Sequence, residues 1–333
     1  MKIEELKAKI DSVMNDLCSL QLYFVLKQDN QFVLRLADLE DDSAAPDLKE
    51  LFINNIRSQV LENDDLTLCQ LSTDDERYNA IYHYDYETYP DELGVFKDFN
   101  ITTAISTTDK FDFSKDDLGT LFGYIIYIGT MQNGIVLFKK HFPISLIKRD
   151  SFLLGAVKDK QRFEKVSDKD IIRMNGTVQL LKVNEQIYVL NIKMLERNMG
   201  FTELVQKAAT QTITSIEKLG ILEDIEVLKD SVADASFARK LSKVKRTSPI
   251  FKLGITKKTI VEFTKTTSEL AGKFKYSADG LTIRLDTKKS KDAFLKLMND
   301  AFLRSELTKQ YYEASAKDQL IAEWMNWGLV AQR

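Results

Sequence analysis

The residues most able to do chemistry in this 333-residue chain are cations clustered in its last third. Arg239, Lys240, Lys243, Lys245 and Arg246 crowd one short stretch, Lys257 and Lys258 are adjacent, and Lys288, Lys289 and Lys291 bracket Ser290. Lysine meets a phosphate oxygen as a point charge and arginine meets it as a planar fork, so such residues together suit sequence-independent contact with a nucleic-acid backbone. Residues 239–296 hold 16 Lys/Arg against 5 Asp/Glu, a net of +11, whereas residues 1–136 hold 11 against 26, a net of −15. The overall charge of −3 therefore conceals a chain that is acidic in front and basic behind. Such asymmetry points to a polyanion or an anionic surface as partner of the basic part. The competing readings are a solvated Lys-rich helix surface, docking on the acidic front of a neighbouring copy, or contact with anionic lipid.

Other chemistries lack their residues. His83 and His141 are far apart and have no HxxxH or CxxC companions, so no multi-histidine metal site is expected. Cys18 and Cys69 are isolated, which suits a reducing cytoplasm and reads as apolar filling. There is no P-loop, no GxGxxG and no GxSxG elbow; Gly123, Gly129 and Gly134 lie in an apolar hairpin without the lysine and helix of a phosphate cradle. A carboxylate pair with a lysine would hold Mg²⁺ beside a scissile phosphate. The nearest approach is Asp47 with Lys49, which falls at a helix start without a second strand-borne carboxylate. No catalytic residue, metal or cofactor is expected. Tyr78, Tyr82, Tyr84, Tyr86 and Tyr89 are interleaved with Asp85, Glu87, Asp91 and Glu92. Acidic neighbours repel phosphate, so this cluster reads as a sheet edge or protein interface and not as a base-stacking platform. Trp324 and Trp327 read as packing anchors.

The elements that must position the cations follow from hydrophobic period. A composition of 44% hydrophobic and 29% charged residues, with 13 Gly and 4 Pro, excludes disordered and collagenous chains, and the length suggests two domains. The front portion predicts a helix over 4–17 and a hairpin of strands 20–27 and 31–37. A helix follows after Pro46, then short strands over 67–71 and 77–82. Residues 121–128 and 135–139 predict a second hairpin turned at Asn133-Gly134, and 171–183 with 186–191 a third. After Asn191 the period becomes helical: helices are expected over 201–219, 225–244 and 257–270, then a small hairpin about Asp279-Gly280, then a helix capped by Ser290. The expected architecture is α+β: a largely antiparallel, acidic sheet domain over 1–195, then a helix-rich basic domain over 196–333.

Residues 1–10 carry Lys and Glu at helical spacing, so no export signal is expected, and the longest apolar run, 121–128, is far short of a membrane span. Residues 279–289 (DGLTIRLDTKK), then 294–300 (FLKLMND) and 305–308 (SELT), resemble the C-terminal signature of the KwaB family of the Kiwa anti-phage system. Residues 133–140 and 186–191 resemble the β segments that precede the helices in that family, and 237–241 resembles its helix. The likeness spans about residues 120–320 and is weak in front. One departure is Met194-Leu195-Glu196-Arg197, where the family pattern has an aromatic before the acid.

The resemblance implies a cytoplasmic defence effector that binds double-stranded DNA without sequence preference and restrains phage DNA by binding, not cutting. It further implies association with a four-span, KwaA-like membrane protein at the inner face of the envelope. The residues themselves support backbone contact by the cations named above and a homodimer or higher homo-oligomer. Two other classes stay open: a Mg²⁺-dependent nuclease, and an assembly protein whose acidic and basic halves pair between subunits.

Overall fold

The computed structural model describes residues 2–15, 18–29, 31–40, 43–71, 79–148, 154–157, 162–165, 169–305, 307–308 and 311–313. In the opening helix α1 (Ile3–Asn15), Leu6, Ile10 and Val13 recur at helical spacing and are fully buried. Strands β1 (Ser19–Gln28) and β2 (Gln31–Leu36) form the first hairpin, where Asp29 takes a left-handed φ of 47°. Helix α2 (Ala44–Ile56) buries Phe52 and Ile56 and continues into one wider turn over Arg57–Leu61. Strands β3 (Thr67–Gln70) and β4 (Ala80–His83), then the short helices α3 (Asp91–Lys97) and α4 (Ile101–Thr107), lead to the long hairpin of β5 (Leu121–Gly129) and β6 (Gly134–Lys140). At its turn a side chain on Gly134 would overlap the Tyr127 ring, so only glycine fits. The pairs β7 (Leu146–Ile147) with β10 (Ile171–Ile172) and β8 (Leu154–Val157) with β9 (Arg162–Lys165) are two-stranded ladders apart from the main sheet. The expected strand over 171–183 is thus two pieces, β10 and β11 (Leu180–Val183). A two-residue turn of Asn184 and Glu185, both at positive φ, joins β11 to β12 (Gln186–Val189), before helix α5 (Ile192–Asn198).

The main sheet has eight strands in the order β2-β1-β5-β6-β11-β12-β4-β3, antiparallel throughout except for the parallel edge pair β3–β4. Every residue of β5 is buried, so both faces are covered. On one face Leu22, Phe24, Tyr124, Ile126, Leu137 and Leu181 form a core with α1 and α2. On the other, Phe96 meets Phe138 edge-on at 5.7 Å and Phe99 meets Tyr23 at 5.1 Å, placing α3 and its C-terminal extension there. On that second face lies a buried cation. Lys182, 3% exposed, donates to the carbonyls of Lys97 at 2.7 Å and Phe99 at 3.0 Å, satisfying the orphan end of α3, and pairs with Glu185.

The chain divides into two compact units, one ending at Leu204 and the next beginning at Val205. Helix α6 (Phe201–Leu219) has the bounds that the periodicity predicts. The helix expected over 225–244 is instead α7 (Glu226–Ser231) and α8 (Ala235–Thr247), because the Asp234 carboxylate accepts from the Phe237 N–H at 3.0 Å and starts a new helix. Next come α9 (Pro249–Lys252), α10 (Lys257–Thr266) and the small hairpin β13 (Lys275–Tyr276) with β14 (Ile283–Arg284). Helix α11 (Lys288–Met298) and the pair β15 (Phe302–Arg304) with β16 (Tyr311–Glu313) complete the described chain. The fold class is α+β, as expected from the sequence. Ser290 is not the cap of α11. Thr287 is, and Ser290 is the reciprocal member of a capping box, its hydroxyl accepting from the Thr287 N–H at 3.0 Å.

Two stability outcomes follow. Lys182→Met, which keeps the apolar stem but strands two backbone carbonyls, lowers unfolding free energy by about 1–3 kcal/mol in urea titration. Thr287→Ala costs about 1 kcal/mol, read as a lower urea midpoint at constant m-value.

Candidate nucleic-acid interface

The cations expected from the sequence divide into three structural classes. Arg239 and Lys243 are withdrawn from the surface set, being 1% and 4% exposed. From Phe237 to Val244 every residue of α8 is buried except Lys240, which is half-buried, so the helix has no cationic outer face along this stretch. Lys245 is exposed at its end, and the side chain of Arg246 lies outside the described residues.

A second class is engaged in local contacts. Lys291 donates to the Ser231 hydroxyl at 2.8 Å, tying α11 to α7. Lys257 is half-buried and adds to the pull on the Asp279 carboxyl, which is held below its usual range chiefly by the Ser277 hydroxyl and then by the Leu281 N–H. Lys275 pairs with Asp286 at 2.9 Å, and Arg284 with Glu223 at 3.2 Å and Asp286 at 3.8 Å. The Lys275 hydrogen bond, with Arg284 adding, keeps Asp286 low. The carboxylates about the hairpin are thereby occupied.

The third class is the one that can act. Lys258, Lys288 and Lys289 are exposed, and none of the described carboxylates forms an ion pair with them. Their position is unusual for their sign. The Thr256 hydroxyl accepts from the Thr259 N–H and caps α10, which puts Lys257 and Lys258 at its first two positions. The Thr287 cap puts Lys288 and Lys289 at the equivalent positions of α11. A helix N-terminus carries partial positive charge and free N–H groups, so a lysine there is disfavoured by about 0.3–1 kcal/mol. An anion at either end would offset both the lysine charge and the dipole.

Some exposed cations of the second unit were not singled out in the sequence. Lys265 lies seven residues after Lys258, hence on the same stripe of α10, where it donates to the Gly280 carbonyl at 2.9 Å and sits 5.3 Å from the Tyr276 ring centre. The i+7 spacing was the available signal. Lys252, at the end of α9, and Lys273 are exposed as well.

The remaining candidates resolve simply. Asp47 is exposed in the first turn of α2, and the Lys49 ammonium donates to the Cys18 carbonyl at 3.1 Å, so the two do not face one centre. Among the described residues no three or more His, Cys, Asp or Glu gather as a metal site. Tyr84 is buried, stacks on Tyr89 at 4.5 Å and donates to the Thr88 carbonyl at 2.8 Å, while Phe201 meets Tyr84 and Tyr86 edge-on. Burial raises the Tyr84 hydroxyl above its ordinary range, so Tyr84 itself is an internal packing residue, while Tyr86 and Tyr89 stay half-buried beside it. Tyr78, Trp324 and Trp327 lie outside the described residues. Among the described residues no helix is long and apolar enough to cross a membrane.

With this geometry in view, the chain's similarities narrow the reading. A family profile described as Kiwa protein KwaB-like matches residues 118–308, from the long β hairpin through α11. Over 324 residues the chain is 30% identical to the Kiwa protein KwaB of Escherichia coli O55:H7 (strain RM12579 / EPEC), covering 96% of this chain and 99% of that protein. No solved structure matches it. The near-complete coverage brings in the acidic front as well as the basic helices, and the chain belongs to the KwaB family of the Kiwa anti-phage defence system.

Proposed function

We propose that this Kiwa component binds double-stranded DNA without sequence preference through the cationic surface of its second unit, and restrains phage replication and transcription by occupying that DNA. The observation that carries this reading is the placement of Lys258, Lys288 and Lys289: exposed, without described ion pairs, and at helix N-termini whose dipoles reinforce their charge. Lys245, Lys257 and Lys240 flank them as weaker contacts. The action proposed is binding alone, with no bond broken. Membership of a multi-component system supports a partner protein, which we take to be a membrane-embedded, KwaA-like one that brings this protein to the envelope. The opposite charges of the acidic front and basic rear support self-association as a homodimer or higher homo-oligomer.

The test is fluorescence anisotropy on unrelated duplexes across a salt series with Mg²⁺ present, with fragment length checked afterwards. Binding is expected to be equal across sequences, with a log–log salt slope of about 0.9 per phosphate contacted. The variant K258E/K288E/K289E is expected to weaken binding by about tenfold or more and to flatten the slope by about 2–3. Absent binding at low salt, or binding untouched by this variant, would overturn the reading. Mg²⁺-dependent shortening of the fragments, lost in Asp47→Ala, would replace it with a nuclease.

A further inference from the structure

A second concentration of positive charge lies in the first unit, where the basic helices play no part. Beyond the end of β6 a cleft of about 360 Å³ opens between the β5–β6 hairpin and residues 173–179. Its size is that of a small-ligand site. Lys139, Lys140, His141 and Arg173 line it, with the amides of Asn175 and Gln179, and among the described residues no Asp or Glu does.

The cleft is built from groups that are short of negative charge. Lys139 is 8% exposed, and its ammonium donates to the Asn175 side-chain oxygen at 2.5 Å and the Thr177 carbonyl at 2.8 Å, both neutral acceptors. A buried ammonium held only by neutral oxygens is costly, and its affinity for a proton falls through burial alone. The remaining N–H of Lys139 has no acceptor among the described residues. The Arg173 backbone N–H is fixed to the Ser145 carbonyl at 2.8 Å, while its exposed guanidinium forms no ion pair with any described residue. Gln179 is 5% exposed and its side-chain oxygen accepts from the Lys140 N–H at 2.7 Å, which leaves its amide N–H groups as donors.

His141 completes the set. Its Nδ1 lies 2.7 Å from the Tyr124 hydroxyl. Burial raises the Tyr124 hydroxyl well above its ordinary range, so that group keeps its proton. Burial, with Lys140 adding, lowers His141, which favours the neutral ring. Lys139, Arg173 and Gln179 thus bring donors to the cleft. Phe142 and Ile144, 44% and 89% exposed, form an apolar rim.

We infer that this cleft is a binding site for a phosphate monoester of nucleotide size, its phosphate held by Lys139 and Arg173 with the amide of Gln179, and the attached group lying on the Phe142–Ile144 rim. A compact dianion supplies the acceptors and the charge that the cleft lacks, and bidentate contact with a guanidinium suits its geometry. The site is independent of the DNA-binding reading, since no residue is shared with the cationic helices. The same phosphate can belong to a free nucleotide or to the 5′ end of a strand, and the test separates these sources.

The experiment is calorimetric titration of the full chain with inorganic phosphate, dAMP and uncharged deoxyadenosine, in wild type, Arg173→Ala, Lys139→Met and K258E/K288E/K289E. Arg173 is exposed, so its variant keeps the fold, as an unchanged circular dichroism spectrum and melting temperature check; it decides the matter even where Lys139→Met does not fold. Saturable binding of dAMP, competed by inorganic phosphate, absent for deoxyadenosine and weakened about tenfold or more by Arg173→Ala but not by the helix variant, is the expected result. A 5′-phosphorylated oligonucleotide that outbinds its 5′-hydroxyl twin in wild type, but not in Arg173→Ala, assigns the strand end as source; equal binding of the twins assigns the free nucleotide. No dAMP binding up to about 10 mM overturns the site, that being too weak for a built pocket. Binding lost in the helix variant and intact in Arg173→Ala overturns it too, by moving the phosphate to the second unit.

Discussion

Covering β5 on both faces is the constraint from which the rest of the first unit follows. All nine of its residues are buried, and its backbone groups are taken up by β1 on one side and β6 on the other. At about 25 cal/mol per Å² of apolar surface, leaving either face wet would forfeit several kcal/mol for this strand alone. Helices α1 and α2 close one face and α3 with its extension closes the other, so polar groups on the central strands must find partners within protein. Lys139 and Lys182 do so by donating to carbonyl and amide oxygens.

Lysines serve different ends in the two units. In the first, buried lysines serve the fold: Lys182 finishes a helix, and Lys139 braces the segment that leads into β11. Each replaces lost hydration with fixed oxygens. In the second, Lys243 is buried as well, but Lys258, Lys288 and Lys289 stand in water at helix starts, where they cost little because solvent screens them, yet raise the local potential. In the basic unit Asp286 pairs with Lys275 and Glu223 with Arg284, whereas no described carboxylate pairs with Lys258, Lys288 or Lys289.

Much of the framework was legible from short-range pattern. The hairpins β1–β2 and β5–β6 follow from β-rich runs flanking polar turns, and α6 follows from an unbroken helical period. Where pattern misled, a local competitor decided. Asp234 started a helix in the middle of a predicted one, and Thr287 capped α11 ahead of Ser290, since two acceptable caps three residues apart form a box in which the first leads. The tyrosine cluster read as a sheet edge or interface because of its acidic neighbours; Phe201, far away in sequence, packs on Tyr84 and Tyr86, with Tyr84 buried and Tyr86 and Tyr89 half-buried.

The sequence by itself determined the charge polarity, the α+β class, the family and which stretches carry cations, because these depend on composition and on neighbours a few residues apart. Only the tertiary structure decided which cations reach solvent. Arg239, Lys243, Lys288 and Lys289 are alike as text, yet α8 is buried nearly all round while the start of α11 is not, and that difference arises from packing between elements distant along the chain. The same holds for the cleft at the end of β6, since strand pairing and the chain's return through 173–179 bring Lys139, His141 and Arg173 around one space.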